Sequence, residues 1–187
     1  LWGPDALGGG VSYRSLIPSD ILDDGEDFAV ELSSNLSSSS RTNSVIKPES
    51  NTNITVANQL SPNLSTVLSY TYEKSGATIT RAEPGYQNEA DNYGNNYYAN
   101  IQYDFNDDSR INLAFEDINR SSNVKDSTKN LPDNYSKLDS YTDTSRTRVS
   151  LEYNYDNPVE LNTFISDANI VAYWQETRVD DDYTRET

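Results

Sequence analysis

The sequence contains no cysteine, no histidine and no methionine. Without cysteine there is no disulfide framework and no thiolate metal site. Without histidine the usual general base, the commonest metal ligand and the Ser-His-Asp type of triad are all missing. No nucleophile–base arrangement can be named, and the expectation is a protein that is not an enzyme. No run approaches the roughly 18 apolar residues of a membrane helix, so the chain is either soluble or spans a membrane as strands. Positive charge is scarce: Lys+Arg is 14 against Asp+Glu 30, a formal charge of -16. That balance argues against nucleic-acid binding, which needs clustered Lys and Arg. It reads as a solvated surface, with acidic loops that bind a cation or cationic partner as the alternative. Leu1-Trp2-Gly3-Pro4 does not look like a natural start. The N-terminus is expected to be a cut boundary, so a missing targeting segment carries no weight.

Hydrophobic residues make up only 34% of the chain, and the 14 tyrosines supply much of that share. Low hydrophobicity with high net charge points towards disorder. The aromatic content and a regular alternation of apolar residues point the other way. Residues 1–26 stand apart, with the cluster Gly8-Gly9-Gly10, Pro4, Pro18 and the acidic turn Asp23-Asp24-Gly25-Glu26. From residue 27 onwards the pattern has period two, the signature of strands. Phe28, Val30, Leu32 and Leu36 share one face, and Ile54, Val56 and Leu60 the next. Then come Leu68, Tyr70 and Tyr72; Tyr97, Ala99, Ile101, Tyr103 and Phe105; and Ile111, Leu113 and Phe115. Val149, Leu151, Tyr153 and Tyr155 form a sixth set. Ala168, Ile170, Ala172 and Trp174 form a less regular seventh, because Val171 and Tyr173 sit on its other face. Seven strands and no helical period predict an all-β chain.

Short, turn-rich links are expected at Ser61-Pro62-Asn63, Asn106-Asp107-Asp108-Ser109 and Asp156-Asn157-Pro158, all of them strong turn chemistry. Between them lie long polar links, roughly Ile79 to Asn95 and Ser121 to Asp143. A soluble sandwich has no reason to sort its loops by length, whereas an outer-membrane barrel has short periplasmic turns and long extracellular loops. Aromatics recur beside the short turns, Tyr103 and Phe105 at one and Tyr153 and Tyr155 at another. Each pair alone is ordinary cross-strand packing, but the repetition suggests an interfacial girdle. The predicted fold is therefore antiparallel transmembrane β-barrel strands, part of a larger barrel. The first strand rises from the periplasmic side after Glu26.

The N-terminal residues run Gly3-Pro4-Asp5-Ala6-Leu7-Gly8-Gly9-Gly10-Val11-Ser12-Tyr13-Arg14, then Pro18-Ser19-Asp20-Ile21-Leu22. This resembles the end of the plug domain in TonB-dependent outer-membrane receptors, where an Ala-Leu-Gly-Gly segment leads into a plug strand. The Pro-Ser-Asp-Ile-Leu continuation looks like the branch that takes haem, haemoglobin, transferrin and lactoferrin. Arg146-Thr147-Arg148-Val149-Ser150-Leu151-Glu152-Tyr153 and Ala172-Tyr173-Trp174-Gln175 are similar to an Arg-x-Arg strand and an aromatic-aromatic-Gln strand of that branch. The specific part is about twenty N-terminal residues. Position 10 is Gly where the family usually has a larger apolar residue, which loosens the plug strand there. Ala6, Leu7, Gly8, Gly9 and Gly10 are structural positions: glycine permits close backbone approach inside a filled lumen, and a tight turn explains each one equally well.

The resemblance implies that residues 1–26 are the C-terminal end of a plug and residues 27–187 the first seven or so strands of a barrel in the bacterial outer membrane. It implies uptake of haem or another iron-bearing ligand, cargo rather than resident cofactor. TonB would displace the plug by contacting a segment N-terminal to this piece, and the bilayer is the other partner. The histidine loop motif of haem receptors is missing. Any haem contact in this stretch would use tyrosine, a known axial ligand, with Tyr86, Tyr93, Tyr135 and Tyr141 as candidates in extracellular loops. Each reads first as an ordinary exposed aromatic, with haem contact as the alternative.

Asp107-Asp108 falls in a short turn, where Asp is a good turn former. Asp180-Asp181-Asp182 is expected in a solvated loop, with a weak oxygen-ligated Ca²⁺ site as the alternative. Two rival functions stay open: the same scaffold importing a siderophore or oligosaccharide, and a soluble secreted β-sandwich serving as an adhesin or carbohydrate-binding module. Barrels of this receptor type close with about 22 strands, and open edges are not tolerated in lipid and invite association in water. Recombinant 1–187 is therefore expected to associate or precipitate. A monodisperse sample that melts cooperatively in light scattering and calorimetry counts against the fragment reading.

Overall fold

The computed structural model describes residues 15–38, 44–46, 49–75, 78–80, 88–126, 137–156 and 167–186. After a single 3₁₀ turn, Pro18–Asp20, everything regular is strand: β1 (Phe28–Ser37), β2 (Ser44–Ile46), β3 (Glu49–Ser61), β4 (Leu64–Ser75), β5 (Thr78–Thr80), β6 (Asn88–Asn106), β7 (Ser109–Asp126), β8 (Lys137–Asp156) and β9 (Asp167–Glu186). None of the helical residues described could cross a membrane.

Every pairing is antiparallel, and the long strands lie in chain order, β1-β3-β4-β6-β7-β8-β9. The two short strands add no column to this sheet. Ile46 faces Thr78 in the same frame that puts Ser50 opposite Lys74, so β2 and β5 prolong the β3–β4 hairpin. Each of the seven expected apolar sets falls inside a different long strand.

The strands outrun the alternation that reveals them. The expected long links at 79–95 and 121–143 shrink to 81–87 and 127–136, because β6 begins at Asn88, β7 runs to Asp126 and β8 begins at Lys137. These extensions are mostly polar, with Tyr93, Val124 and Tyr141 too scattered to alternate, and such a strand shows no hydrophobic period. The Asp180-Asp181-Asp182 run likewise lies within β9 and not in a loop.

Two of the expected turns are present, each linking its strands through two residues, Pro62-Asn63 and Asp107-Asp108. Asn106 Oδ1 accepts from the Asp108 N–H at 3.0 Å and the Ser109 hydroxyl at 2.8 Å. That bond pattern is why Asn-Asp sequences turn. A register shift precedes each turn. Asn63 also ties its hairpin to the next strand, donating through Nδ2 to the Asp104 carbonyl at 2.7 Å. The third expected turn begins at Asp156, but β9 starts only at Asp167. The rest of that link lies outside the described residues.

One register row crosses all seven long strands: Leu32, Ile54, Tyr70, Tyr97, Asp117, Thr147 and Glu176. On the long-link side of this row β8 continues to Lys137 and β9 to Glu186, while β1 stops at Ser37. The described sheet is therefore stepped, lower at β1 than elsewhere.

Residues 15–27 lie across one face of this sheet. Pro18 is buried. Tyr98 of β6 donates its hydroxyl to the Leu16 carbonyl at 2.6 Å. The segment turns at Asp23–Glu26, where the Glu26 N–H reaches the Asp23 carbonyl at 3.0 Å and Gly25 takes φ +85°, a conformation that suits glycine. It then enters β1 beside Gln59, whose N–H meets the Asp27 carbonyl at 2.8 Å. A neutral hydrogen bond contributes about 0.5–1.5 kcal/mol. Tyr98→Phe is expected to loosen residues 15–22 by that order, with hydrogen exchange speeding up there while the β6–β7 ladder stays protected.

Candidate functional site: the polar face of the sheet

The pleat sends alternate residues to opposite faces, and the register aligns like with like. One face carries Leu32, Val56, Leu68, Ile101, Leu113, Leu151 and Trp174, and it is bare: Leu32 is 70% exposed, Trp174 56% and Leu113 45%. Aromatics bound this apolar field. Tyr103 and Phe105 stack edge to face at 5.1 Å near the short-turn end. Tyr70 and Tyr97, directly opposed across β4 and β6, lie 5.0 Å apart towards the other end.

The opposite face is the buried one, and it is largely polar. Ala57 and Val67 are fully covered, but so are polar groups: Asn100 is 1% exposed, and Thr55, Ser65, Gln102 and Asn112 are buried with it. Asn53 donates to the Ser69 and Thr71 hydroxyls, each at 2.8 Å, and Thr55 to Ser69 at 2.9 Å. Ion pairs cross the face at three heights: Arg110 Nε to Asp104 at 3.4 Å, Arg146 to Glu116 at 2.9 Å, and Arg120 to Glu73 at 3.0 Å. The side-chain oxygens of Asn100, Gln102 and Asn112 have no hydrogen-bond partner among the described residues. Buried polar atoms normally find partners, so this face suits water or a polar chain. It is the face on which residues 15–27 lie.

Towards the long-link end this face hollows into a cavity of about 430 Å³. Gly94 creates it. In the row Glu73–Gly94–Arg120, the middle strand offers no side chain, so Glu73 reaches across β6. Arg120 Nε and Nη2 both donate to Glu73 Oε1, at 3.2 and 3.0 Å. A Cβ at position 94 would stand 2.5 Å from Glu73 Cγ.

Of the candidate tyrosines, Tyr93 and Tyr141 belong to strands, not loops. By the pleat both project from the face that carries Tyr97 and Leu151, not into the polar face. Lys74 Nζ sits 5.4 Å from the Tyr93 ring centroid. The two tyrosines stand two strands apart with different row partners, Ser121 for Tyr93 and Asn123 for Tyr141. Strands are spaced about 4.8 Å apart, which puts the pair too far apart to share one iron. Tyr86, Tyr135 and the segment Ala6, Leu7, Gly8, Gly9 and Gly10 lie outside the described residues. Asp180 and Asp182 project from one face of β9 and Asp181 from the other, so the three carboxylates cannot converge. Asp180 is engaged by Arg178 Nε at 3.0 Å. Among the described residues no group of three metal-ligating side chains forms.

No protein-family model matches this chain, and no curated protein or solved structure matches it either. The class that stands is an all-β antiparallel sheet in chain order, apolar and bare on one side, polar and partly covered on the other.

The lone glycine also marks a test. Overpacking typically costs about 1–3 kcal/mol. Gly94→Ala is expected to displace Glu73, break its pair with Arg120 and destabilise the sheet by that order. A lowered midpoint in a thermal or denaturant melt of the intact protein checks it, and Gly94→Ser should behave alike.

Proposed function

We propose that this sheet is part of the wall of a bacterial outer-membrane β-barrel, in a receptor that takes up an iron-bearing ligand by TonB-dependent transport, haem being the ligand its N-terminal motif suggests. The observation that carries the barrel reading is the inversion of the two faces. A soluble sandwich buries its apolar face against a second sheet. Here the apolar face is bare among the described residues, and the covering segment 15–27 rests on the polar one. A barrel wall in lipid needs this arrangement, with apolar side chains outwards and polar ones towards the lumen.

The dimensions agree. From Tyr97 to Phe105 the outward side chains of β6 are apolar. At about 3.3 Å per residue and a tilt near 40°, those nine positions span roughly 23 Å, close to the ~25 Å apolar band of outer-membrane barrels. Aromatics at both ends of that span fit the two interfaces. Beyond it the same face turns polar and acidic, with Asp117, Asp143, Glu176 and Asp180, as suits strands that project from the membrane. The approach of residues 15–27 along the polar face fits a chain that leaves a plug in the lumen and enters the first strand. The TonB-dependent and iron-bearing parts of the proposal rest on the resemblance of residues 3–22 to a plug end.

A paired substitution separates lipid-facing from water-facing positions. Arg at the bilayer midplane of a barrel costs about 2–4 kcal/mol, falling to about 0–1 near the interfaces. Leu113→Arg, in the middle of the apolar field, is expected to lower folding stability in bilayers by the larger amount. Asn119→Arg, on the same face beyond the aromatics, should be nearly neutral. Equal tolerance of both substitutions would sink the membrane-wall reading. The transport reading predicts that uptake of labelled iron-bearing ligand through the intact receptor stops in cells that lack TonB.

A further inference from the structure

The apolar face carries a hollow of its own. In the row Val56–Leu68–Ala99–Phe115 the strand β6 offers only a methyl group between two large side chains. The face dips there into a groove of about 340 Å³. Tyr70 and Tyr97, one outward row nearer the long links, close its upper end with their rings 5.0 Å apart. The Tyr70 hydroxyl donates to Asn95 Oδ1 at 2.8 Å, so this pair stands at the level where the face turns polar. Charge beyond that level is uneven. Over β7–β9 the outward positions include Asp117, Asp143, Glu176 and Asp180, with Arg178 held by Asp180 at 3.0 Å. Over β3 and β4 they are Thr52, Ser50, Tyr72 and Lys74. Lys74 lies about 13 Å along the strand from Tyr70. Its Nζ rests over the Tyr93 ring at 5.4 Å, outside the ion pairs that cross the polar face.

We propose that this groove seats one acyl chain of an anionic membrane phospholipid, whose phosphate is met by Lys74. The groove is walled by hydrocarbon and aromatic rings as far as the tyrosines, and the face is polar beyond them. A molecule that fits must change from apolar to polar at the same level, as a lipid does. Tyrosine suits that boundary, with its ring in the apolar layer and its hydroxyl in the wet one. Lipid chains are as apolar as the groove, so close packing in the dip left by Ala99 holds the chain. The headgroup supplies the selection: a basic residue at the surface attracts an anionic lipid, while the carboxylates over β7–β9 repel it. The inference rests on the membrane-wall reading and goes beyond it in naming a lipid class and the place where it sits.

Native mass spectrometry of the intact, full-length protein in detergent tests this with two probes. Dipalmitoyl phosphatidylglycerol is anionic, and dipalmitoyl phosphatidylcholine has the same chains on a zwitterionic headgroup. The anionic lipid is expected to be retained about fivefold more tightly, the order of one basic residue's attraction. Lys74→Gln should erase that preference and leave phosphatidylcholine binding unchanged, whereas Lys74→Arg should keep it. Ala99→Leu fills the groove and should weaken both lipids by about tenfold through lost packing. Ala172→Leu makes the same change on the same face over β9 and should leave both unaltered. Lys74→Gln lies outside the groove, so the test stands even where Ala99→Leu fails to fold. Equal retention of the two lipids by the unaltered protein overturns the inference. So does a preference that survives Lys74→Gln, or a folded Ala99→Leu that binds as tightly as before. A lipid-free dimer in analytical ultracentrifugation that Ala99→Leu splits overturns it as well, by assigning the groove to a second copy. The membrane-wall reading survives each of these if Leu113→Arg is costly in bilayers and Asn119→Arg is not. Equal tolerance of those two substitutions removes the wall reading and this inference with it.

Discussion

The ladder of backbone hydrogen bonds between neighbouring strands is the interaction on which this molecule depends. A single-layer sheet has no thick apolar interior to hold it, and among the described residues more amide and hydroxyl side chains are buried than hydrocarbon ones. Cohesion must come from continuous antiparallel pairing, which runs unbroken in register from Lys137–Glu186 to Asp156–Asp167 between β8 and β9. Because the pleat has period two, the same ladder decides which residues meet lipid or water. A slip of β7 by one residue against β6 would bring Leu113 onto the polar face and Asn112 onto the apolar one. Bulges and turns at Ser61 to Leu64 and Asn106 to Ser109 pin that register at the short-turn end.

Much of the sheet was legible in the sequence because one face of each strand is apolar. Phe28 to Leu36 and Tyr97 to Phe105 announce their strands by alternation alone, and the structure keeps every such set on one face. The polar extensions were not legible: Asn88 to Asn95 and Lys137 to Asp143 are strand because a neighbour is there to pair with, a non-local cause that leaves no local period. That is also why Tyr93 and Tyr141 read as loop residues and prove to be strand residues on the outward face. The cavity was missed altogether. Its only trace in the sequence is Gly94, and a glycine inside a strand is a recognised mark of close approach by a neighbouring group. The partner that approaches, Glu73, lies in a different strand, and only the register reveals it.

A tyrosine hydroxyl, a buried proline and a backbone bond into Gln59 are among the contacts that hold residues 15–27 against the sheet. The neighbouring amide oxygens of Gln102 and Asn112 keep hydrogen-bonding capacity in reserve beside it.

The stepped edge of the sheet has a geometric consequence. Past the row that runs from Leu32 to Glu176, β1 adds five residues to reach Ser37 while β9 adds ten to reach Glu186. At about 3.3 Å per residue the difference is roughly 16 Å along the strands. Asn35 and Ser37, at the top of the short strand, are themselves part of the cavity lining. Among the described residues the rim of the sheet is therefore lowest at β1, a doorstep beside the hollow, and highest at β9, its rampart.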